Sequence, residues 1–253
     1  MFFLHLLRTS IRASITLRGA FLIEASLMIL NNLIFFSMWW IFFRQFNDIR
    51  GWQLNDMAAA MAILSGSYGL SQICFGGIKH FGVAIFNGDL DSYMTQPKNL
   101  LLHLAGSKSR SKGWGHLATM IILLILGGFR DSIPLVSLLT LSGCLIFTAY
   151  GIIVNSLTFW LGSIEAVSQK LLDSLFLFSL YPSNIYSGVL QLVMFTLIPA
   201  GLIGYVPVEL LRSFSWTKAA ILFFGCSTFL SLAICVFYLG LKRYESGNRF
   251  GGR

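Results

Sequence analysis

Long apolar runs, each suited to crossing a bilayer, occupy nearly all of this 253-residue chain and leave one sizeable polar stretch, Lys79 to His116. That alternation constrains the fold more than any motif does. In hydrocarbon, backbone N–H and C=O groups have to be satisfied internally, so the runs must be helices. Hydrophobic residues make up 56% of the chain and charged residues 11%, against about 25% charged in a soluble globular protein. The apolar windows leave no room for a sizeable water-soluble core, and one all-α integral membrane domain is expected.

Six transmembrane helices are expected, at about 20–43, 57–78, 115–129, 133–161, 165–181 and 218–241. The first, about 24 residues long, gives about 36 Å of helix at about 1.5 Å per residue, enough to cross with some tilt. Ahead of it, Phe3, Leu4, Leu7, Ile11 and Ile15 recur at helical spacing, with Arg8 and Arg12 elsewhere around the wheel. This predicts an amphipathic helix over residues 1–18 lying along the inner membrane surface; a cytoplasmic extension of the first span is the alternative. Arg130 and Asp131 form a tight turn between spans three and four. Residues 165–205 are too long for one crossing and too interrupted for two, with breaks at Tyr181-Pro182 and at Pro199. A fifth span followed by a re-entrant segment, 183–205, fits. Irregular backbone at that depth needs protein or a water-filled cavity beside it, so the break points to a pathway.

On this topology 13 of the 18 Lys and Arg fall on the side holding both termini, the others being Arg44, Arg50, Arg130, Arg212 and Lys218. Both termini are therefore expected in the cytoplasm. The net charge of +8 reads as topology and contact with anionic lipid headgroups, not nucleic-acid binding. Trp39, Trp40, Trp52, Trp114, Trp160 and Trp216 all fall at or just beyond span ends, where amphipathic rings prefer the headgroup level. The cysteines lie inside apolar runs and read as packing residues, and the first span lacks the marks of a cleaved signal.

No phosphate-binding Gly-x-x-x-x-Gly-Lys-Ser/Thr loop, His-Glu-x-x-His metal helix or Gly-x-Ser-x-Gly nucleophile elbow occurs. His5, His80, His103 and His116 fall in interfacial or loop segments, so no metal and no directly bound cofactor is expected. Ionisable residues near the spans are few. Glu24 is expected to pair near Arg18, and Glu165, Lys170 and Asp173 to pair locally at the start of span five. Asn31, Asn32, Gln72 and Asn155 are costly against lipid and either bond across helices or line a cavity. Ser65, Gly69, Gly76 and Gly77 suit close helix packing. Within the polar stretch, Gly88-Asp89-Leu90-Asp91-Ser92-Tyr93-Met94-Thr95-Gln96-Pro97 reads as a turn, a short acid-capped helix and a proline stop, followed by Lys108, Arg110 and Lys112. A short helix held between two spans can pass mechanical force.

Three stretches resemble the permease subunits of ABC-2 type exporters, in particular the six-span bacterial branch. Gly88-x-Leu90-Asp91-x-x-Met94-x-Gln96-Pro97 is similar to the family's loop after span two, with Met94 in place of the usual leucine. Tyr181-Pro182-x-x-Ile185-Tyr186, with Ile198-Pro199 and Tyr205-x-Pro207, is similar to its interrupted fifth span. Leu241-x-x-Tyr244-x-Ser246-Gly247 is close to its tail motif, one residue short before the glycine. The resemblance implies an exporter subunit of the bacterial inner membrane, without its own ATPase site, paired with a second copy of itself or a similar permease. An ABC ATPase subunit carrying ATP-Mg would be the motor. Gly88, Asp89, Leu90, Asp91, Tyr93, Met94 and Pro97, in a cytoplasmic loop over 79–114, are then the coupling residues, and Tyr181, Pro182, Tyr186, Pro199 and Pro207 the outer gate. The cargo is expected to be apolar or amphipathic, and a cationic one suits the scarcity of mid-depth charge. The alternatives are a non-transporting membrane scaffold and a small ion-coupled carrier, the latter disfavoured by the lack of inverted repeats.

Overall fold

The computed structural model describes residues 2–46, 48, 51–129, 132–181 and 187–244, and among them every regular element is helical. α1 (Phe2–Ile15) leads into α2 (Arg18–Gln45), the first long apolar helix. α3 (Leu54–Cys74) opens on a capping box: the Gln53 backbone N–H donates to Asp56 Oδ2 at 2.8 Å, and the Gln53 side chain accepts from the Asp56 backbone. A 3-10 turn (Gly76–His80) and three short helices follow, α4 (Phe81–Phe86), α5 (Leu90–Met94) and α6 (Leu100–Gly106). The chain continues through α7 (Ser111–Leu126), α8 (Ile133–Ser156), α9 (Thr158–Leu161) and α10 (Glu165–Ser179). It ends with α11 (Val189–Thr196), α12 (Ala200–Ile203), α13 (Tyr205–Arg212) and α14 (Trp216–Leu241).

Among the described residues, α2, α3, α8 with α9, and α14 are long and apolar enough to cross a membrane. A fifth crossing counts if α11 and the run α12–α13, bent by 69° at their junction, form one span. α7 and α10 are shorter, at 16 and 15 residues.

α3 is the central helix. Within its most apolar 18-residue window 89% of residues are buried, against 6% for α2 and 28% for α14. Many of its inward positions are small, Ala58, Ala59, Ala60, Ser65, Gly66, Ser67 and Gly69, beside the larger Met57, Met61, Ile63 and Leu64. The peripheral helices display large apolar side chains outward, such as Leu22, Ile23, Phe223 and Phe224. Small residues inside and large ones outside is the arrangement that lipid favours, because helices there associate by close packing and not by hiding apolar surface from water. A Cβ added at Gly69 would lie 2.8 Å from the Gly113 carbonyl, so α3 and α7 meet almost backbone to backbone. Gly115 approaches the Ala25 carbonyl of α2 in the same way. Ser67 Oγ donates to the Thr140 carbonyl at 3.0 Å and ties α3 to α8.

Several boundaries differ from those expected. The helix predicted over 57–78 ends at Cys74 and tightens into the 3-10 turn, because Gly76 and Gly77 lie against the backbone at Lys108 and Leu104. The third span, expected from 115, is helical from Ser111, since Gly113 belongs to the α3 contact. The fourth breaks at Leu157, and the stretch 79–114 is largely short helix. Trp39 and Trp52 turn inward, the first against Tyr181 and the second stacked on Tyr205 at 6.4 Å. The Arg130-Asp131 turn lies outside the described residues.

Candidate functional site

At the end of α3 carrying Cys74, the 3-10 turn and α4–α6 form a cap bound to three other segments. α6 is started by Asn99, whose Oδ1 accepts from the Leu102 backbone N–H at 3.0 Å. α1 lies on α6: Ser10 Oγ, buried, donates to the Gly106 carbonyl at 2.8 Å, and Phe2 meets the His103 ring edge-on at 5.3 Å. Tyr93 of α5 meets the same ring at 4.9 Å, so His103 is held between α1 and α5. Burial first, then Lys98, pushes the His103 imidazole below its ordinary value, toward the neutral form. α4 packs on the end of α8 at Gly82, where an added Cβ would meet Thr158 Oγ1 at 3.0 Å and Asn155 Oδ1 at 3.1 Å.

The third segment is the chain just after α14. Tyr244 Oη donates to Asp91 Oδ1 at 3.0 Å, and the same Tyr244 hydroxyl is what a Cβ added at Gly88 would meet, at 3.7 Å; Gly88 sits in the left-handed turn at φ +77°. Burial, followed by the Asp91 bond and charge, pushes the Tyr244 hydroxyl up to about 12. Leu90 is fully buried and pins α5 to the cap. Asp89 occupies the cap position of α5 with helical dihedrals and makes no side-chain capping bond, so the expected acid cap does not form. Met94, Gln96 and Pro97 are exposed, as is Asp89, and together they present a surface around a buried anchor.

At the opposite end of α3, Arg212 is bound to Asp56 at 3.0 Å, to Glu209 at 3.2 Å and to the Gly51 carbonyl, while Lys218 reaches Glu209 at 2.9 Å. This cluster fastens the bent α11–α13 segment to the starts of α3 and α14. Pro199 stands at the bend, Pro207 is buried in α13, and Tyr181 packs edge-on to Trp39 at 5.9 Å. Pro182 and Tyr186 lie outside the described residues, as do Ile185, Ser246 and Gly247.

Asn31, Asn32 and Gln72 come together on one cleft, with about 460 Å³ of room between α2, α3, α7 and α10. Asn32 Nδ2 lies 3.1 Å from His116 Nδ1 and 3.2 Å from Thr119 Oγ1, so this amide also bonds across helices. Asn155 lies elsewhere, buried, with its amide donating to the Gly151 carbonyl of its own helix at 2.9 Å. His116, expected near the interface, is buried within α7. Among the described residues, neither Glu24 nor any of Glu165, Lys170 and Asp173 forms an ion pair, and the ion pairs present gather at the Arg212 end.

Two features escaped the sequence. The partner of Tyr244 lies 153 positions away, and no spacing rule reaches so far. The cleft did leave a signal: Met28, Asn31, Asn32 and Phe35 recur at i, i+3, i+4 and i+7, as do Asp173, Phe176, Leu177 and Leu180, and each set lines it. Polar positions on otherwise apolar helix faces mark the wall of a cavity.

The family model described as ABC-2 family transporter protein matches residues 27–248. No curated protein and no solved structure matches the chain.

Proposed function

Because the chain belongs to the ABC-2 family of transporter proteins, we propose that it is the six-span permease subunit of an exporter, driven by a separate ATPase subunit that docks on the α5 surface. It is a membrane-embedded component without nucleotide-binding or catalytic motifs of its own, so the work must come from a partner. α7 and α10 complete the crossings, placing the cap of α4–α6 and both termini in the cytoplasm of a bacterial inner membrane, with a second copy or a similar permease alongside. The observation that carries the reading is the Tyr244–Asp91 bond, because it joins the exposed short helix to the end of a long span. A push on Asp89, Met94 or Pro97 is then delivered to α14 and, through α4, to α8.

Such a contact shifts the protein only if the ATPase binds differently in its two nucleotide states. Given that difference, rocking of the bundle would switch access to the cleft from one face to the other, with the α11–α13 bend as the outer gate. An amphipathic cargo suits a cleft that sets Met28, Phe35, Phe176, Leu177 and Leu180 beside amide and charged side chains. The test is purification of the tagged chain from native membranes in mild detergent, with stoichiometric partners identified by mass spectrometry. An ATPase at one-to-one ratio is expected. Its reproducible absence would favour the scaffold reading.

A further inference from the structure

The cleft between α2, α3, α7 and α10 carries an electrostatic asymmetry that the transport reading does not use. Lys79, Arg110 and Lys112 line it together with a single carboxylate, Asp173. None of the four forms an ion pair among the described residues. Lys79 Nζ instead stands 5.4 Å over the Tyr68 ring. Basic groups facing a cleft at the ends of membrane-spanning helices attract anionic groups at the membrane surface. Phe35, Phe176, Leu177 and Leu180 provide apolar walls in the same cleft. On α2 and α10 these positions follow the polar ones within two helical turns, about 10 Å along each axis. The Gln72 amide, 5% exposed, also lines the cleft, and its oxygen is buried without a hydrogen-bond partner. A buried acceptor in that position is open to a donor from a bound ligand.

We propose that this cleft binds a phosphate-headed amphipath, with the anion on Lys79, Arg110 and Lys112, a head-group hydroxyl on Gln72, and the tail along Phe35, Phe176 and Leu180. The charge balance reverses the expectation of a cationic cargo. Phosphate suits the site because it accepts several charge-assisted hydrogen bonds at once, from guanidinium and ammonium alike. Anionic phosphate chemistry reaches such a cleft from two sources, a resident phospholipid of the bilayer or a transported amphipath. The inference rests on the transporter reading only for the second source.

The permease alone, in nanodiscs of zwitterionic lipid, is titrated with hexadecyl phosphate and with hexadecyltrimethylammonium, which share a tail and differ in head charge. The phosphate is expected to bind at least about tenfold more tightly, the equivalent of about 1.4 kcal/mol. Lys79→Gln/Arg110→Gln should erase the preference, and Asp173→Asn, which removes the like charge, should increase it. The opposite directions of these two changes separate a lost site from a lost fold. Equal affinity for both probes, or a preference that survives Lys79→Gln/Arg110→Gln, would overturn the inference and leave the transport reading untouched. Competition by glycerol phosphate as effective as by hexadecyl phosphate would overturn the amphipath assignment. With the ATPase partner added, displacement of bound hexadecyl phosphate by ATP identifies a cargo. Retention through turnover identifies a resident lipid, and the site then stands apart from transport.

Discussion

Tyr244, three residues beyond the end of α14, donates its hydroxyl to the Asp91 carboxylate at 3.0 Å, joining the tail of the last span to a five-residue helix that follows the second. Each residue belongs to a separate stretch that resembles the ABC-2 permeases, and the fold brings the two stretches into contact. A short helix cannot hold its shape on its own hydrogen bonds. α5 depends on the buried Leu90, the His103 ring and this bond for its position.

Tyr244→Phe removes the bond and leaves Asp91 part-buried without this donor. A hydrogen bond to a charged group is worth about 1.5–3 kcal/mol, and the loss falls on the cap, not on the spans. Reduced transport per ATP hydrolysed is expected, with unchanged membrane insertion. Unimpaired coupling in that variant would remove the role given to the bond. A phenol held above its ordinary value contributes stability that is fully present below pH 10 and lost as pH rises toward 12. Neutral-range pH changes should therefore leave the junction intact.

Charge reversal at the proposed docking surface, Asp89→Lys with Asp91→Lys, should uncouple hydrolysis from export while the chain still inserts. Transport measured in vesicles together with phosphate release distinguishes the two activities, and normal export by the double variant would argue against α5 as the coupling element.

His103 responds to acid. Its imidazole is held below the ordinary 6.5 by burial and by Lys98, so the fold binds fewer protons there than the unfolded chain. The stability it contributes is present above pH 6.5 and declines as pH falls below that value. Limited proteolysis near Phe2 and Tyr93 should accelerate at pH 5.5 relative to pH 7.5, and His103→Phe should flatten the difference. An unchanged difference in that variant would assign the effect to another group.

The long helices were legible because lipid allows little else: α2, α3, α8 and α14 follow from apolar length alone, to within a few residues. Their ends were less so. α3 stops at Cys74 because Gly76 and Gly77 must fit beneath Leu104 and Lys108, a contact between segments some thirty positions apart. The amides of Asn31, Asn32 and Gln72 were legible as polar groups needing partners, but the choice of partner, His116 for Asn32, is set by how closely Gly115 lets α7 approach α2. The cations of the cleft read in sequence only as topology signals, because a positive-inside count does not register which way each side chain turns.

Gly77→Val tests the packing of the cap. Even a Cβ at that position would run into the Leu104 backbone carbonyl, which cannot rotate away. Overpacking of this kind costs about 1–3 kcal/mol. A lower unfolding midpoint in detergent is expected, together with faster proteolysis in the α4–α6 region; a midpoint equal to the wild type would mean the turn is more pliant than its contacts imply.

Arg212→Ala releases the bent segment from Asp56, Glu209 and the Gly51 carbonyl together. The guanidinium is one-third exposed, so solvent screening limits the loss to about 1 kcal/mol, and high salt should shrink it further. Pro199→Ala, at the bend itself, should change export more than assembly. An assembly defect with normal export would assign the bend to packing.

The most direct measurement places a photo-crosslinking amino acid at Met94 on α5 and, separately, at Phe214 beside Arg212 at the far end of α3, both exposed. Irradiation of native membranes, followed by mass spectrometry, should recover an ATPase subunit joined through position 94 and not through position 214, with a yield that changes when ATP is added. Recovery of no ATPase from position 94, or equal recovery from both positions, would contradict the account of α5 as the surface on which the motor acts.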